Sequence, residues 1–389
     1  MMLRKFGHIL FVSALMLAGA CFTACNDSVI DDGTDGEPVQ MFASIASRNA
    51  VESRFVSGIA DYEKNKFEKD DKINVDAWHF SGSNGERTSE PNFFIDQEMT
   101  YDGSSSWIYS PVKYWPNVVD EKLAVCAYHV CPTITGKYTV EENSVKTEYP
   151  HCTINKDSQK GYSMTFRYCG LLDDVVVAPL TEVSRSQLEE GKIPLTFYHI
   201  LAQVKIRVRY IPTEGSPAED NYLTIKRVIF NYYSEAGTFT GFADVDGVPT
   251  AQWNDVKLNG NSLFDASEVR IDANQDFKYL DGMEFCQIPF TSPTYDADYA
   301  KDMRYSTLEF FVTYDNENYP PLSLGDPDQD GNTDYINALS YKKEVGFTLQ
   351  AGKTTTFDVT FNGKDIVVDV SVDGNPDWSG AGGTINAGF

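Results

Sequence analysis

The chain has 389 residues and a formal net charge of −25, because 57 acidic side chains outnumber 32 basic ones. A chain this acidic repels phosphate backbones and lacks the basic stripe that nucleic-acid binding requires, which excludes nucleic acid as a partner. The length fits roughly two domains of about 100–200 residues each, and it allows a hydrophobic core that needs no disulfide support.

The first residues have the pattern of a secretion signal. Arg4 and Lys5 precede an apolar run at residues 9–20, which is shorter than the roughly 20 residues that a membrane-spanning helix needs. A charged start, a short apolar middle and a small-residue end predict a lipoprotein signal peptide at residues 1–24.

Two cysteines at the end of this signal resemble the lipid-bearing cysteine of bacterial lipoproteins. Small residues precede both Cys21 and Cys25, and an acidic stretch that begins Asn26-Asp27 follows the second cysteine. We therefore predict that Cys25 carries the lipid and that two acyl chains hold the protein at the outer membrane, exposed on the cell surface. Residues 25–38 then form a solvated acidic tether. The alternative is an ordinary cleaved signal with incidental cysteines.

The remaining sequence is dominated by strand-like alternation. Apolar residues at every second position of 204–210 predict a strand with one buried face and one solvated face. The same pattern recurs at residues 308–314, 356–361 and 366–372, while a helical period appears only weakly at 184–191. Strands without interleaved helices predict an all-β protein built of sandwiches.

Turn signals separate these strands, at Tyr101-Asp102-Gly103, Glu235-Ala236-Gly237, Ala351-Gly352 and Asn362-Gly363. The last lies between two alternating strands and predicts a type I′ hairpin. The polar segment 181–192 is the best domain boundary. We therefore predict an N-terminal β-sandwich domain at residues 39–190 and a C-terminal one at residues 191–389.

Five cysteines follow Cys25, which is an odd number. Cys126 could bridge Cys131, and Cys152 could bridge Cys169. The favoured interpretation is that these cysteines are small buried hydrophobes.

Several short segments form an ordered series of landmarks. Residues 109–116 read Y-S-P-V-K-Y-W-P, and residues 195–202 read L-T-F-Y-H-I-L-A. Weaker landmarks lie at residues 41–48, 67–75, 124–132, 349–353 and 377–378. The series resembles the fimbrillin-like family, the lipoprotein pilins and adhesins of anaerobic bacteria. Asp70 and Asn74 replace glycines of the family's W-x-x-G-D-x-I-G-V pattern, and His129 and Val130 depart from its F-x-A-Y-Y-P strand.

The resemblance implies two tandem transthyretin-like β-sandwich domains in a fimbrial subunit or fimbria-associated adhesin, which is not an enzyme. In that family a protease cuts after an arginine and removes the first strand, and a strand of another subunit fills the groove by β-augmentation. Arg48 and Arg54 follow the first predicted strand, at residues 39–46, and are the candidate cleavage sites. The alternative is an uncut anchor or tip subunit. The implied partners are other fimbrial subunits and a host or bacterial surface ligand.

Catalytic signatures are missing from the sequence. None of the five histidines lies in H-E-x-x-H, and neither a G-x-S-x-G elbow nor a G-x-x-x-x-G-K-[ST] loop occurs. We interpret His199 as a hydrogen-bonded structural residue, and Trp107, Tyr109, Tyr114 and Trp115 as core packing instead of a sugar-stacking platform. Two other functions stay open, a glycan-binding surface lipoprotein of a nutrient-uptake system and a secreted glycosidase.

An acidic loop at residues 326–334 reads D-P-D-Q-D-G-N-T-D and opens like a calcium loop. Calcium takes about six to eight oxygen ligands. The candidate ligands are Asp326, Asp328, Asp330, the carbonyl of Asn332, and Asp334. Position twelve is Asn337, which cannot supply the bidentate carboxylate of an EF-hand. The predicted function requires no cofactor, and Ca²⁺ is the candidate metal ion for this loop. The alternative is a solvated acidic turn without a bound ion.

Overall fold

The computed structural model describes residues 37–46, 66–81, 85–104, 106–116, 121–142, 145–167, 173–188, 191–213, 222–280, 284–291, 306–314, 321–323, 335–363, 365–372 and 385–386. Within these ranges the chain is almost entirely β-structure, which confirms the predicted all-β class. None of the helices in these ranges is long and apolar enough to cross a membrane.

The strands of the first half are β1 (Gln40–Ile45), β2 (Lys72–Ser81), β3 (Phe94–Tyr101), β4 (Trp107–Ile108), β5 (Glu121–His129), β6 (Lys137–Glu142), β7 (Val145–Pro150), β8 (Cys152–Asp157), β9 (Gly161–Phe166), β10 (Val176–Ser184) and β11 (Lys192–His199). The strands of the second half are β12 (Ala202–Tyr210), β13 (Tyr222–Val245), β14 (Val248–Asp272), β15 (Lys278–Tyr279), β16 (Phe285–Gln287), β17 (Thr307–Tyr314), β18 (Pro321–Ser323), β19 (Tyr335–Asn337), β20 (Leu339–Glu344), β21 (Thr354–Phe361), β22 (Ile366–Val372) and β23 (Ile385–Asn386). A short helix α1 (Pro132–Thr135) and a single 3-10 turn (Arg185–Gln187) complete the described elements.

Three large sheets organise these strands. The first sheet has the order β1-β11-β10-β5-β2-β3-β4. The second has the order β15-β12-β21-β22-β23, with β16 also paired to β12, and the third has the order β20-β17-β13-β9-β8, with β14 also paired to β13. The hairpins β6–β7 and β18–β19 form separate two-stranded sheets.

The alternation predicted from the sequence identifies side chains that form the hydrophobic core. In β12 the side chains of Val204, Ile206, Val208 and Tyr210 are fully buried. They pack in one cluster with Phe357 of the adjacent strand β21 and with Leu308 of β17 in the third sheet. A second cluster lines the first sheet, and it contains Val39, Met41 and Leu195.

A third cluster joins the two halves of the chain. It brings Trp78 and Cys126 of the first sheet together with Phe166 of β9 and Phe239 of β13. The long hairpin β13–β14 makes this possible, because its distal part pairs with β9 while its proximal part pairs with β17.

Two sequence predictions about turns are wrong in detail. The expected turn at Glu235-Ala236-Gly237 lies inside β13, where the register shifts between Ser234 and Thr238. Bulges are a common position for glycine in a strand, and a Cβ on Gly237 would lie 3.1 Å from Ile288. The predicted two-residue hairpin at Asn362-Gly363 is a four-residue loop, because Phe361 pairs with Ile366.

The change of sheet does not coincide with the predicted boundary between residues 190 and 191. Strand β11 follows that boundary but belongs to the first sheet, between β1 and β10, and the chain enters the second sheet at Ala202. The division into two domains itself remains a prediction.

Candidate functional site

Strand β1 lies at one end of the first sheet and is parallel to β11, with a register that runs from Gln40 opposite Lys192 to Ile45 opposite Phe197. The other pairings of this sheet in the described residues are antiparallel. β1 is therefore a parallel addition to the edge of an antiparallel sheet, and not the product of a local hairpin.

The two faces of β1 differ in burial. Val39 and Met41 are buried in the cluster of the first sheet, whereas Phe42 on the opposite face is exposed. The side chains of Ile193 and Leu195, on the neighbouring β11, are buried in the same cluster. We call the space that β1 fills, beside β11 and against this cluster, the β1 groove.

Backbone bonds also reach β1 from the segment after β4. The amide of Val39 donates to the carbonyl of Lys113 at 2.9 Å, and the amide of Trp115 donates to the carbonyl of Glu37 at 3.1 Å. These bonds flank an antiparallel bridge between Pro38 and Tyr114. The start of β1 thus connects the two ends of the first sheet, because the segment that follows β4 lies at the opposite end from β11.

The side chain of Tyr109 completes this contact. Its hydroxyl donates to the carbonyl of Val39 at 2.6 Å, and burial raises the pKa of Tyr109 and so keeps the hydroxyl protonated. The Nζ atom of Lys113 donates at 2.6 Å to the carbonyl of Phe93, the residue before β3, and this bond holds the segment in place. The Y-x-P-x-K-Y-W-P landmark thus has a structural role in holding β1.

A charged contact holds the start of β1 on the other side. Nη2 of Arg185 lies 3.0 Å from Oε2 of Glu37. The Glu37 carboxylate lies against Gly191, which has a φ of +69° and would collide with that carboxylate if it carried a Cβ. Sequence reasoning missed this contact, because the two charged residues are 148 positions apart and neither lies in a recognisable motif.

The predicted site residues lie outside the described part of the chain. This applies to Cys25, to the candidate cleavage residues Arg48 and Arg54, and to the acidic loop from Asp326 to Asp334. The last described residue of the β1 segment is Ala46, whose amide donates to the carbonyl of Phe197 at 2.7 Å. Arg48 is therefore only two positions beyond the last bond that the structure describes for β1.

The structure describes His199 and the four aromatic residues that we interpreted as structural. Nδ1 of His199 lies 2.6 Å from Oδ2 of Asp174, and both side chains are buried, which confirms the interpretation of His199. Trp107 and Trp115 are buried, as core packing predicts, and Tyr109 packs against the same cluster. The core-packing interpretation is wrong for Tyr114, whose side chain is exposed. These aromatic residues therefore do not form a shared exposed platform. Among the described residues, no three His, Cys, Asp or Glu side chains are placed to hold a metal ion.

The cysteines follow the favoured interpretation. Cys126, Cys131, Cys152 and Cys286 are all buried in the cluster that joins the two halves. Cys126 and Cys131, one of the two pairs considered for a disulfide, are free thiols.

Comparison with known proteins agrees with the resemblance seen in the sequence. The model of the fimbrillin-like family matches residues 60–375. The fold is similar to the crystal structure of a fimbrial protein from Bacteroides vulgatus, with a TM-score of 0.51 and 15% identity over 87% of this chain and 99% of that one. No curated protein matches the chain.

Two further structures are less similar. One is a proposed cell adhesion protein from Bacteroides ovatus, with a TM-score of 0.46 and 11% identity over 87% of this chain and 97% of that one. The other is the tip fimbrial protein Mfa3 from Porphyromonas gingivalis, with a TM-score of 0.33 and 7% identity over 86% of this chain and 98% of that one. Because the family model spans most of the sequence, from residue 60 to residue 375, the chain belongs to the fimbrillin-like family.

Proposed function

We propose that this chain is a surface-anchored fimbrial subunit or fimbria-associated adhesin that assembles by β-strand donation. The observation that carries the proposal is the position of β1, a six-residue strand at the edge of the first sheet, parallel to β11 and with alternate side chains in the β1 groove. A strand held in this way can be replaced by another strand of the same polarity, because main-chain bonds supply affinity and alternate pockets set the register.

Removal of β1 would leave an unpaired edge on β11 and would expose apolar side chains of the cluster that β1 covers. Val39 and Met41 are fully buried, and burial of such side chains stabilises by about 1.5–3 kcal/mol each. The backbone groups of β11 would lose their partners at the same time, and an unpaired edge of this kind favours association with another strand. Assembly would therefore have to be controlled by the removal of β1.

The anchor and the cut complete the proposal. Cys25 carries two acyl chains at the outer membrane, and cleavage at Arg48 or Arg54 separates β1 from the body of the subunit. The tether is shorter than the predicted residues 25–38, because Glu37 and Pro38 already contact the first sheet. Other fimbrial subunits then supply the replacing strand. Mass spectrometry of the mature amino terminus tests the anchor, and a Cys25→Ala variant that stays membrane-bound and palmitate-labelled would contradict it.

A reversible disulfide across the β1–β11 pair tests strand exchange. Ser44 and Thr196 are register partners and both face solvent, so Ser44→Cys and Thr196→Cys bring two thiols to neighbouring positions at little cost to the core. We expect the oxidised double variant to fail to form fimbriae and the reduced form to regain assembly, as seen by electron microscopy and by ladders on gels.

The single variant Ser44→Cys and the wild-type chain, each with and without reductant, are the controls. Fimbriae from the fully oxidised double variant would contradict the proposal. The variant with Arg48→Ala and Arg54→Ala tests the cut separately, with Arg167→Ala as a control at an exposed arginine elsewhere. We expect the double arginine variant to retain β1 and not to assemble.

A further inference from the structure

The two ends of β1 are held differently. At the carboxyl end, the described bonds come from β11, where Ile45 pairs with Phe197 and the amide of Ala46 donates to the Phe197 carbonyl. At the amino end, contacts come from two directions. β11 lies on one side, and the segment 109–115 lies on the other.

In addition to β11, four described residues bind the amino end, and we call them the terminal clamp: Tyr109, Lys113, Trp115 and Arg185. The first three bind only the backbone of residues 37 and 39, through one hydroxyl, one carbonyl and one amide. Arg185 binds a side chain, the carboxylate of Glu37. The clamp therefore combines a sequence-independent grip on an extended strand with one contact that depends on charge.

Pro38, which lies between Glu37 and Val39, is compatible with this geometry. The bonds from Val39 to Lys113 and from Trp115 to Glu37 flank residue 38, so the clamp makes no use of an amide hydrogen at that position. Proline lacks that hydrogen, and its φ of about −65° lies within the range of extended backbone. Pro38 therefore weakens none of the clamp's bonds.

We propose that the terminal clamp is the recognition end of the β1 groove. It retains β1 after the chain has been cut behind Ala46, and it favours an incoming strand that presents a carboxylate to Arg185 two residues before its first buried apolar side chain. The occupant is an extended strand of another fimbrial subunit, parallel to β11. This inference rests on the proposed function, because it concerns the exchange of β1.

The order of events follows from the position of the clamp. A cut at Arg48 frees the carboxyl end of β1, whereas the clamp and the fully buried Val39 and Met41 lie at the opposite end. An incoming strand of the same polarity first pairs with β11 near Phe197 and displaces β1 towards Glu37. The clamp is the last part to open, so it controls the rate at which the old strand leaves.

The experiment uses the full chain with one specific protease site inserted between Arg48 and Arg54. After cleavage under native conditions, we expect the amino-terminal fragment to co-elute with the body in gel filtration. An excess of fluorescent peptide with the sequence of residues 37–46 should then replace it. Tyr109→Phe removes one hydroxyl bond to the Val39 carbonyl and should speed fragment loss about threefold to tenfold.

The matched control is Tyr114→Phe, which alters an exposed tyrosine of the same segment. The charge contact is tested in the peptide, where no change can affect folding. A Glu37→Gln peptide should bind the wild-type body about twofold to fivefold more weakly, and this difference should vanish on an Arg185→Gln body.

The outcomes separate the inference from the proposed function. Immediate loss of the fragment on cleavage would overturn the clamp, and so would equal rates for Tyr109→Phe and Tyr114→Phe or equal affinities of the two peptides. If assembly still follows in those cases, the proposed function stands without the clamp. A cut chain that never exchanges its fragment for excess peptide and never assembles would contradict strand donation itself.

Discussion

The hydroxyl of Tyr162 on β9 donates to Oδ2 of Asp76 on β2 at 2.8 Å, and it joins two sheets through a carboxylate that is completely buried. Oδ1 of the same carboxylate lies 2.9 Å from Nζ of Lys156 on β8 and accepts the amide of Asp96 at 2.8 Å. Both oxygens are therefore satisfied, as a buried charge requires.

This network predicts a graded loss of stability. Tyr162→Phe removes one hydrogen bond to a charged group and should lower the free energy of unfolding by about 1.5–3 kcal/mol. Lys156→Met leaves the Asp76 charge without its cation and should cost about 3–5 kcal/mol. Urea unfolding followed by tryptophan fluorescence measures both values. Tyr149→Phe on the exposed face of β7 is the control, and a Lys156→Met variant as stable as this control would contradict the prediction.

The cluster that joins the two halves of the chain predicts that they unfold together. Phe239 of β13 is fully buried there, and its ring centroid lies 5.9 Å from that of Trp253, whose Nε1 donates to the carbonyl of Ile200 at 2.9 Å. Phe239→Ala should cost about 3–5 kcal/mol.

We expect this loss to appear in one cooperative transition that also unfolds the first sheet, because β9 and the first sheet share the cluster with Phe239. Hydrogen exchange of strands β2 and β5 reports on the first sheet directly. Two separate transitions, with the first sheet unaffected, would show that the predicted domains are independent units.

The sequence could predict the strands that follow a regular period, and little of what joins them. Alternation in residues 204–210 identified a strand whose four apolar side chains are fully buried. The turn pattern of the family also survives a substitution, since Asp70 stands where the family has glycine and adopts a φ of +71°. Aspartate is among the few residues that tolerate this conformation.

The long-range relationships had no local signal. The parallel pairing of β1 with β11 joins segments about 150 positions apart, and the Glu37–Arg185 contact depends on that pairing. Gly237 looked like a turn because glycine favours both turns and bulges, and only the partner strands β9 and β14 distinguish the two. The tyrosine and lysine of the landmark at 109–116 could be recognised as a pattern, but their contact with Val39 could not be predicted.

The buried thiols predict low chemical reactivity in the native state. Burial raises the pKa of the Cys131 thiol to about 12 and also raises that of Cys126, so neither residue forms the reactive thiolate at neutral pH. Iodoacetamide should leave Cys126 and Cys131 unmodified until denaturant is added, as measured by peptide mass spectrometry. The exposed thiol of Ser44→Cys is the positive control, and rapid native labelling of Cys126 would contradict the prediction.

The acidic loop at residues 326–334 predicts a calcium effect on stability. If Asp326, Asp328 and Asp330 converge on one ion, millimolar calcium should raise the melting temperature, because a weak extracellular site binds at about 10⁻⁴–10⁻³ M. Asp328→Ala should abolish the increase, and magnesium, which prefers a tighter octahedral site, should give a smaller one. A wild-type melting temperature that calcium does not change would rule out the site.

The carboxyl of Asp173 predicts a pH dependence of stability. Burial and then repulsion by the neighbouring Asp174 raise the pKa of Asp173 above its usual 3.8, while Asp174 itself is paired with His199. A folded-state pKa above the unfolded value means that the folded state binds the proton more tightly. This group therefore stabilises the fold below pH 3.8, and that contribution is lost as the pH rises through the raised pKa.

At neutral pH the Asp173 charge works against folding, so Asp173→Asn should melt at a higher temperature than the wild type. The main-chain contacts of Asp173 with Thr133 do not involve the carboxyl and should survive the change. The difference in melting temperature should shrink as the pH falls and disappear below about pH 3.8, where both chains carry a neutral side chain at this position. Glu86→Gln, which neutralises an exposed carboxyl, is the matched control for the change in net charge. A stabilisation by Asp173→Asn that persists undiminished at low pH would show that packing, and not the charge, is responsible.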